Sequence, residues 1–358
     1  MAHTAVNELW TFHVNVDSVK DYPEELKLHI KDTLLRKRET QPSPNAKKIA
    51  SKRQMAAAQD EDGGVDLLKP YLLFVGEDKD DENGIPGIVS RDKINLASEF
   101  LPQVPNSDVL IAQGGQLSRP QPDTAIGYTP FQFARNSGLH LATKFTKEED
   151  VWLTNYRLTT FMHFPFLTSQ WKPAAGSETF HHAENQAARD GSTIVNHLHD
   201  LFYEAYDRKP TAVEASHVSV ACDMQAVQVW IHWREETAEE GVQHYMRSFA
   251  RAFLCDVSQL QEVRSVLWNV LEYSMGSRLS NIKAALPLWW KKSGSKGQTR
   301  GASVSAPSVA SSSMSSATLP LPRSLQFQVP LTPSSISSDS EPPKKRQRTR
   351  EDCVEAVN

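Results

Sequence analysis

Cysteine is scarce in this sequence: three among 358 residues, at Cys222, Cys255 and Cys353. No two form a C-x-x-C pair or sit at zinc-finger spacing, which argues against a disulfide framework and against a structural zinc site. Cys222 and Cys255 read as small buried hydrophobes. No apolar run is long enough to span a bilayer. The N-terminus mixes Asn7, Glu8 and His13 with its apolar residues and does not read as a secretory signal. An intracellular protein is expected. Positive charge is not in excess. Lys and Arg number 39 against 43 Asp and Glu, a net charge of −4. That argues against a globally basic nucleic-acid binder and leaves a local basic face open. Apolar residues make up only 39%, with a mean hydropathy of −0.47, low enough that part of the chain is expected to be unfolded.

What is present falls into three regions. Residues 1–65 read as a polar N-terminal arm with short helical pieces. Leu26, Ile30 and Leu34 repeat at helical spacing, and Pro44 suits the first turn of a helix running through Ala50. Arg36, Lys37, Arg38, Lys47, Lys48, Lys52 and Arg53 make the arm locally basic. It is either a solvated helical arm or a phosphate-contacting one.

Residues 66–290 read as one αβ domain. Leu67–Val75 is an apolar run suited to a strand. Glu77–Gly84 is an acidic loop without the Gly and Glu that a calcium loop requires. Pro102–Pro120 reads as a connector. Asp123–Tyr128 is expected as a strand, with Gly127 marking a bulge or a close approach. Thr146 with Glu149 three residues on signals a helix start. Arg157–Thr168 reads as extended, with a buried core Phe164-Pro165-Phe166-Leu167-Thr168 leading into Ser169-Gln170-Trp171-Lys172. From Ser177 to Tyr206 apolar and small residues recur at three- and four-residue steps, the face of a single long helix. Val218, Val220 and Cys222, then Val227, Val229, Ile231 and Trp233, alternate as two strands of a hairpin turning at Asp223–Gln225. Tyr245, Phe249 and Phe253 predict one further helix. Leu260, Val263, Leu267, Val270 and Leu271 predict another, capped by Ser258.

Residues 291–358 are dominated by Ser, Pro, Ala and Thr and should be a disordered tail. Lys344, Lys345, Arg346, Arg348 and Arg350 form a basic cluster of the nuclear-import kind, which predicts recognition by import machinery and a nuclear location.

An acid opening one strand, a second strand ending in carboxylate-x-Lys, and a following helix with a Gln make up the PD-(D/E)XK nuclease core. Pro122-Asp123, Gln170-Trp171-Lys172 and Gln186 resemble that core, with Gln170 where a glutamate is expected. Over roughly residues 25–285 the chain also resembles an uncharacterised fungal family of unknown function. The matching residues are Ser43–Ala46, Gln121-Pro122-Asp123 with Gly127-Tyr128, Pro165–Thr168 through Trp171-Lys172, Ala183–Gln186 with Asp190-Gly191, and His232-Trp233. The resemblance implies an α/β (α+β) domain of the restriction-endonuclease type, a central mixed sheet flanked by helices. It implies Asp123 as anchoring ligand of a Mg²⁺ ion, Lys172 as catalytic lysine, Gln186 as an organiser of the site, and Gln170 in place of the second carboxylate. An amide oxygen holds Mg²⁺ less firmly than a carboxylate. Glu184 or Glu178 on the helix could supply the missing charge.

Each residue also has a plainer reading. Asp123 could cap a turn, Lys172 could be a solvated strand-end lysine, and Gln186 a helix-edge polar residue. Trp171 points away from Gln170 and Lys172 in a regular strand and reads as core. His181 with His182, and His197 with His199, are spaced wrongly to share a helix face, so no zinc site is expected. Three functions follow in order: a nuclease-like nucleic-acid or phosphate binder with weak or lost cleavage; a noncatalytic nuclear scaffold; and an active Mg²⁺-dependent nuclease with a rebuilt carboxylate set.

Overall fold

A computed structural model describes residues 9–39, 42–73, 85–104, 117–136, 143–173 and 179–300. The chain divides into two units, 1–304 and 305–358, and the second lies outside the described residues together with the basic cluster. The first is a mixed α/β unit around a seven-stranded sheet. Its strands are β1 (Val14–Val16), β2 (Ile88–Asp92), β3 (Thr124–Tyr128), β4 (His163–Trp171), β5 (His217–Cys222), β6 (Ala226–Thr237) and β7 (Gly241–Phe253). Their order is β1-β7-β6-β5-β4-β3-β2. The β1–β7 and β4–β5 pairs are parallel and the others antiparallel. The helices are α1 (Glu24–His29), α2 (Asn45–Ala57), α3 (Glu61–Leu72), α4 (Phe131–Asn136), α5 (Lys147–Trp152), α6 (Phe180–Tyr206), α7 (Val257–Tyr273) and α8 (Leu279–Arg300). None among the described residues is long and apolar enough to cross a membrane.

The sheet owes its middle to alternation. Ala221 of β5 joins a small apolar cluster with Ala183, Ala187 and Ala188 of α6. Its neighbours Val220 and Cys222 join the main cluster with Leu260, Val263 and Leu267 of α7. Side chains that alternate along a strand thus separate two cores. The expected bulge lies at Gly127, where the β3–β4 register shifts. Thr146 and Glu149 form the expected capping box of α5. The turn at Asp223–Gln225 closes the expected hairpin, its Asp223 Oδ1 accepting the Gln225 and Ala226 N–H groups.

Several expectations are overturned. The segment around Tyr245, Phe249 and Phe253 is strand β7, not a helix, and it pairs with β6 along nearly its whole length. The described part of the 1–65 region is not a solvated arm: β1 completes the sheet, and Leu26, Ile30, Leu34, Ala46, Ile49 and Ala56 are buried in the core. Leu67–Leu72 belongs to helix α3 rather than to a strand. Asp60 caps that helix by accepting the Gly63 N–H at 2.9 Å, and Gly64, Leu68 and Leu72 share its buried face. Strand β4 begins only at His163. Asp256, not Ser258, caps α7, accepting the Ser258 and Gln259 N–H groups. Cys222 is buried as expected but Cys255 is exposed. Helix α8 runs past Trp290 to Arg300, anchored where the Lys292 ammonium meets the Asp207 carboxylate at 2.6 Å and donates to the Ala205 carbonyl at 3.1 Å. The acidic loop at Glu77–Gly84 and most of the Pro102–Pro120 connector lie outside the described residues.

Helix α6 lies close on the sheet because its facing residues are small. Gly191 is the tightest point: a methyl group there would fall inside the His232 imidazole ring. That ring is buried and accepts or donates at Ser219 Oγ, 2.7 Å away, so it has little room to yield. Gly191→Ala should therefore cost about 2–3 kcal/mol, the upper range for overpacking. Urea denaturation measures it, and an unchanged midpoint would disprove the close approach.

Candidate functional site

The site forms where β3 begins and β4 ends. Antiparallel pairing of these strands aligns Thr124 with Ser169 and so brings Asp123 beside the Gln170–Lys172 segment. The Asp123 carboxylate accepts the Trp171 N–H at 2.8 Å, which ties the turn to the strand end. Asp123 is half-buried. Burial raises its carboxyl to about 6 against the lowering by the Trp171 hydrogen bond, with the Glu61 charge raising it further and Lys172 opposing.

Lys172 is buried, and its Nζ lies 3.5 Å from the Glu61 carboxylate. Its backbone N–H donates to the Cys222 carbonyl at 2.8 Å, extending the β4–β5 ladder past Trp171. Glu61 is the first residue of α3, where the helix N-terminus favours an anion. Glu61 thus pairs with Lys172 and acts electrostatically on Asp123, from a helix more than sixty residues earlier in the chain.

Gln170 is buried and its side chain is committed elsewhere. Its Nε2 donates to Asp190 Oδ2 at 2.6 Å and to the Gln121 carbonyl at 3.3 Å. Asp190, on α6, is fully buried. Arg189 holds its other oxygen through Nε at 3.2 Å and Nη2 at 3.1 Å, and reaches Ser118 Oγ with Nη1 at 2.6 Å. Burial raises the Asp190 carboxyl, while the Arg189 charge, the Gln170 amide and the Gln121 N–H favour its ionised form. Asp190 thus feels Asp123 electrostatically but has its lone pairs already engaged.

The remaining expected residues divide. Gln186 lies one helical turn before Asp190, on the same side of α6. Its side-chain oxygen is buried without a hydrogen-bond partner among the described residues. Glu184 is not brought to Asp123. Its carboxylate meets His181 Nδ1 at 3.1 Å, burial raises it, and the further charge acting on it is Asp17, just past β1 at the other edge of the sheet. Glu178 lies outside the described residues. Trp171 is core, its Nε1 donating to Ser169 Oγ at 2.8 Å.

Glu61 and Asp190 are the residues that sequence reasoning missed. Glu61 stands in the acidic triplet Asp60-Glu61-Asp62, which reads as ordinary helix-start chemistry. Asp190 follows Gln186 by four residues and adjoins Arg189, a same-face spacing and a charge pair that read as an ordinary solvated helix surface.

Among the described residues no group of three or more His, Cys, Asp or Glu side chains stands close enough to hold a metal ion. The two carboxylates that act on each other here are Asp123 and Glu61, both also acting with Lys172; Mg²⁺ commonly takes one or two carboxylates and completes its shell with water and phosphate oxygens.

No curated protein and no solved structure matches this sequence. Residues 88–286 match the family described as a domain of unknown function, DUF7924. The match covers more than half of the chain, and the chain belongs to that family. It takes in Asp123, Gln170, Lys172, Gln186 and Asp190 and leaves Glu61 outside.

Proposed function

We propose that this DUF7924 protein is a nucleic-acid binder of PD-(D/E)XK nuclease-like design, with a weak divalent-cation site and slow or lost phosphodiester cleavage. The observation that carries this reading is the convergence of Asp123, Glu61 and Lys172 at one sheet edge while the Gln170 amide is turned to Asp190. Asp123 and Glu61 would hold the ion. Bound there, a hard cation supplies an activated water and neutralises charge on a phosphoryl group. Lys172 would orient that water or meet charge developing on the phosphate. The third anionic donor is missing. Gln170 offers only a dipole, and Asp190 is saturated by Arg189, Gln170 and the Gln121 N–H. That difference supports weak rather than strong ion binding. The basic cluster at Lys344–Arg350 would carry the protein to the nucleus, where its polymer substrates are.

The test is calorimetric titration with Mg²⁺ and with Mn²⁺, beside cleavage assays on plasmid and single-stranded DNA at one fixed salt concentration, since phosphate contacts weaken steeply with salt. Weak, saturable heat that disappears in Asp123→Asn, with little or no cleavage, is the expected result. Rapid cleavage by the native protein would refute the weakened site. No ion heat and no nucleic-acid affinity would leave the noncatalytic nuclear scaffold as the surviving function.

A further inference from the structure

Beside Asp123 lies a recess of about 620 Å³, walled by the end of β2, the stretch after it and the Thr159–Phe161 turn before β4. Three arginines line it: Arg91, Arg119 and Arg157. Among the described residues none of them pairs with a carboxylate. Arg91 donates to the adjacent Ser90 carbonyl at 3.3 Å, Arg119 to the Leu96 carbonyl at 3.1 Å, and Arg157 to Thr154 Oγ1 at 3.2 Å. The Arg157 Nε is buried with no partner there. The acids nearby are already engaged. Asp92 holds Lys69 at 2.6 Å, and Asp150 holds His163 Nε2 at 2.5 Å. In a protein of net charge −4, three guanidinium groups and Lys93 around a recess whose lining holds one carboxylate, Asp92, are a local reversal of sign, even with Arg157 acting on Asp150 from a distance.

Phe161 stands on the rim with 45% of its surface exposed. Its ring is available to stack on a planar partner. Lys93 lines the same recess, and its backbone N–H donates to the Asp123 carbonyl at 3.0 Å. The wall of the recess is thus joined through its backbone to the residue that carries the site's carboxylate.

We infer that this recess is a track for single-stranded nucleic acid, in which Arg91, Arg119 and Arg157 take successive phosphates and Phe161 stacks a base. A positively charged groove with an exposed aromatic side chain is the arrangement that follows one strand, because every base offers a face for stacking. Stacking on Phe161 requires an unpaired, splayed base, which a single strand offers and an intact duplex does not. The inference names the substrate class of the Asp123 edge and so rests on the nuclease-like reading.

Fluorescence anisotropy in EDTA tests it without the cation. The probes are a labelled oligodeoxythymidylate of about twelve nucleotides and the duplex of the same length. The single strand should bind more tightly. Phe161→Ala should weaken it roughly ten-fold, within the range for one base stack. Arg91→Ala with Arg119→Ala should lower the slope of log K against log salt by about 1.4, as expected for two phosphate contacts on a single strand. These three side chains are exposed, and circular dichroism melts would verify that the variants fold as the native protein does. Single-strand binding that responds this way, with no cation heat in calorimetry, would uphold the track and refute the cation site. Cation heat without oligonucleotide binding, duplex binding as tight as single-strand binding, or indifference to Phe161→Ala would each overturn the track while leaving the cation site standing.

Discussion

Between pH 6.5 and pH 4 the folded protein should lose most of its stability. Its buried histidines set this window. Burial holds His197 down to about 4 and His232 and His244 down to about 3, and it drives His217 well below the ordinary histidine value. Each of the first three has one ring nitrogen bonded: His197 Nε2 to the Tyr156 carbonyl, His232 Nε2 to Ser219 Oγ, His244 Nε2 to Asn196 Oδ1. The Nδ1 atoms of all three are buried with no partner among the described residues. A proton added there would be a charged donor with no acceptor. The His217 and His232 rings are also only 5.8 Å apart, so a second charge would oppose the first.

These groups bind protons more weakly folded than unfolded. Stability is therefore intact above the unfolded value of about 6.5 and falls as pH drops toward the folded values. At pH 5 each such histidine costs about 2 kcal/mol, and three cost about 6 kcal/mol, against a typical total of 5–15 kcal/mol. Asp123 works the other way. Its carboxyl is raised, so protonation between about 6 and the unfolded value of 3.8 relieves its burial. That relief is about 1–2 kcal/mol at pH 5, too small to offset the histidines. Thermal melts followed by circular dichroism from pH 8 to pH 4 measure the sum. A midpoint that stays level across this range would show that the imidazoles are wetter than their packing implies.

Gln170→Glu should destabilise the protein by about 3 kcal/mol or more, rather than simply repair a metal site. The new carboxylate would stand where an amide donates to Asp190 at 2.6 Å, with both residues buried. A hydrogen bond becomes a repulsion between desolvated like charges, a change in the range of breaking a buried pair. One of the two acids would have to take up a proton. Adding Asp190→Asn reverses donor and acceptor, moves the charge from helix to strand, and should recover most of the loss. The recovery is incomplete because Arg189 gives up its carboxylate partner. The double variant presents an ionised group at position 170 without a second buried acid to be neutralised, so it should bind Mg²⁺ more tightly than the native chain and than the single variant. Chemical denaturation and calorimetry on the native, single and double variants report the two effects separately. A single variant as stable as the native protein would refute the coupling of Gln170 to Asp190.

The parts of the fold that were legible in the sequence are those fixed by neighbours in the chain. Asp223–Gln225 turns between two alternating runs, and the small residues of α6 mark its sheet-facing side. Tyr245, Phe249 and Phe253 misled because a spacing of four is even: it keeps one helix face roughly aligned and also keeps one strand face aligned. Only the pairing of β7 with β6 decides between the two. The apolar run at Leu67–Leu73 could be strand or helix, and the cap at Asp60, several residues upstream, decided it. In the site, Asp123, Gln170 and Lys172 meet because two adjacent strands bring them together. Glu61 joins through a contact spanning more than a hundred residues, to which local patterning is blind. Asp190 was hidden because a carboxylate on a helix looks solvated until its arginine and amide partners are seen around it.

Strand β1 has a consequence for the protein during its synthesis. Val14–Val16 hydrogen-bonds in parallel register with His244–Met246, so the edge of the sheet joins chain segments some 230 residues apart. At the usual pace of translation the early strand waits roughly 10–50 s on the ribosome before its partner emerges. Throughout that interval Leu9, Phe12 and Val14, buried together in the finished protein, have no sheet to cover them. The nascent chain carries an apolar N-terminal segment that a chaperone must shield or that must remain tolerably soluble alone, and strong slowing of elongation before residue 241 should raise its yield of aggregate.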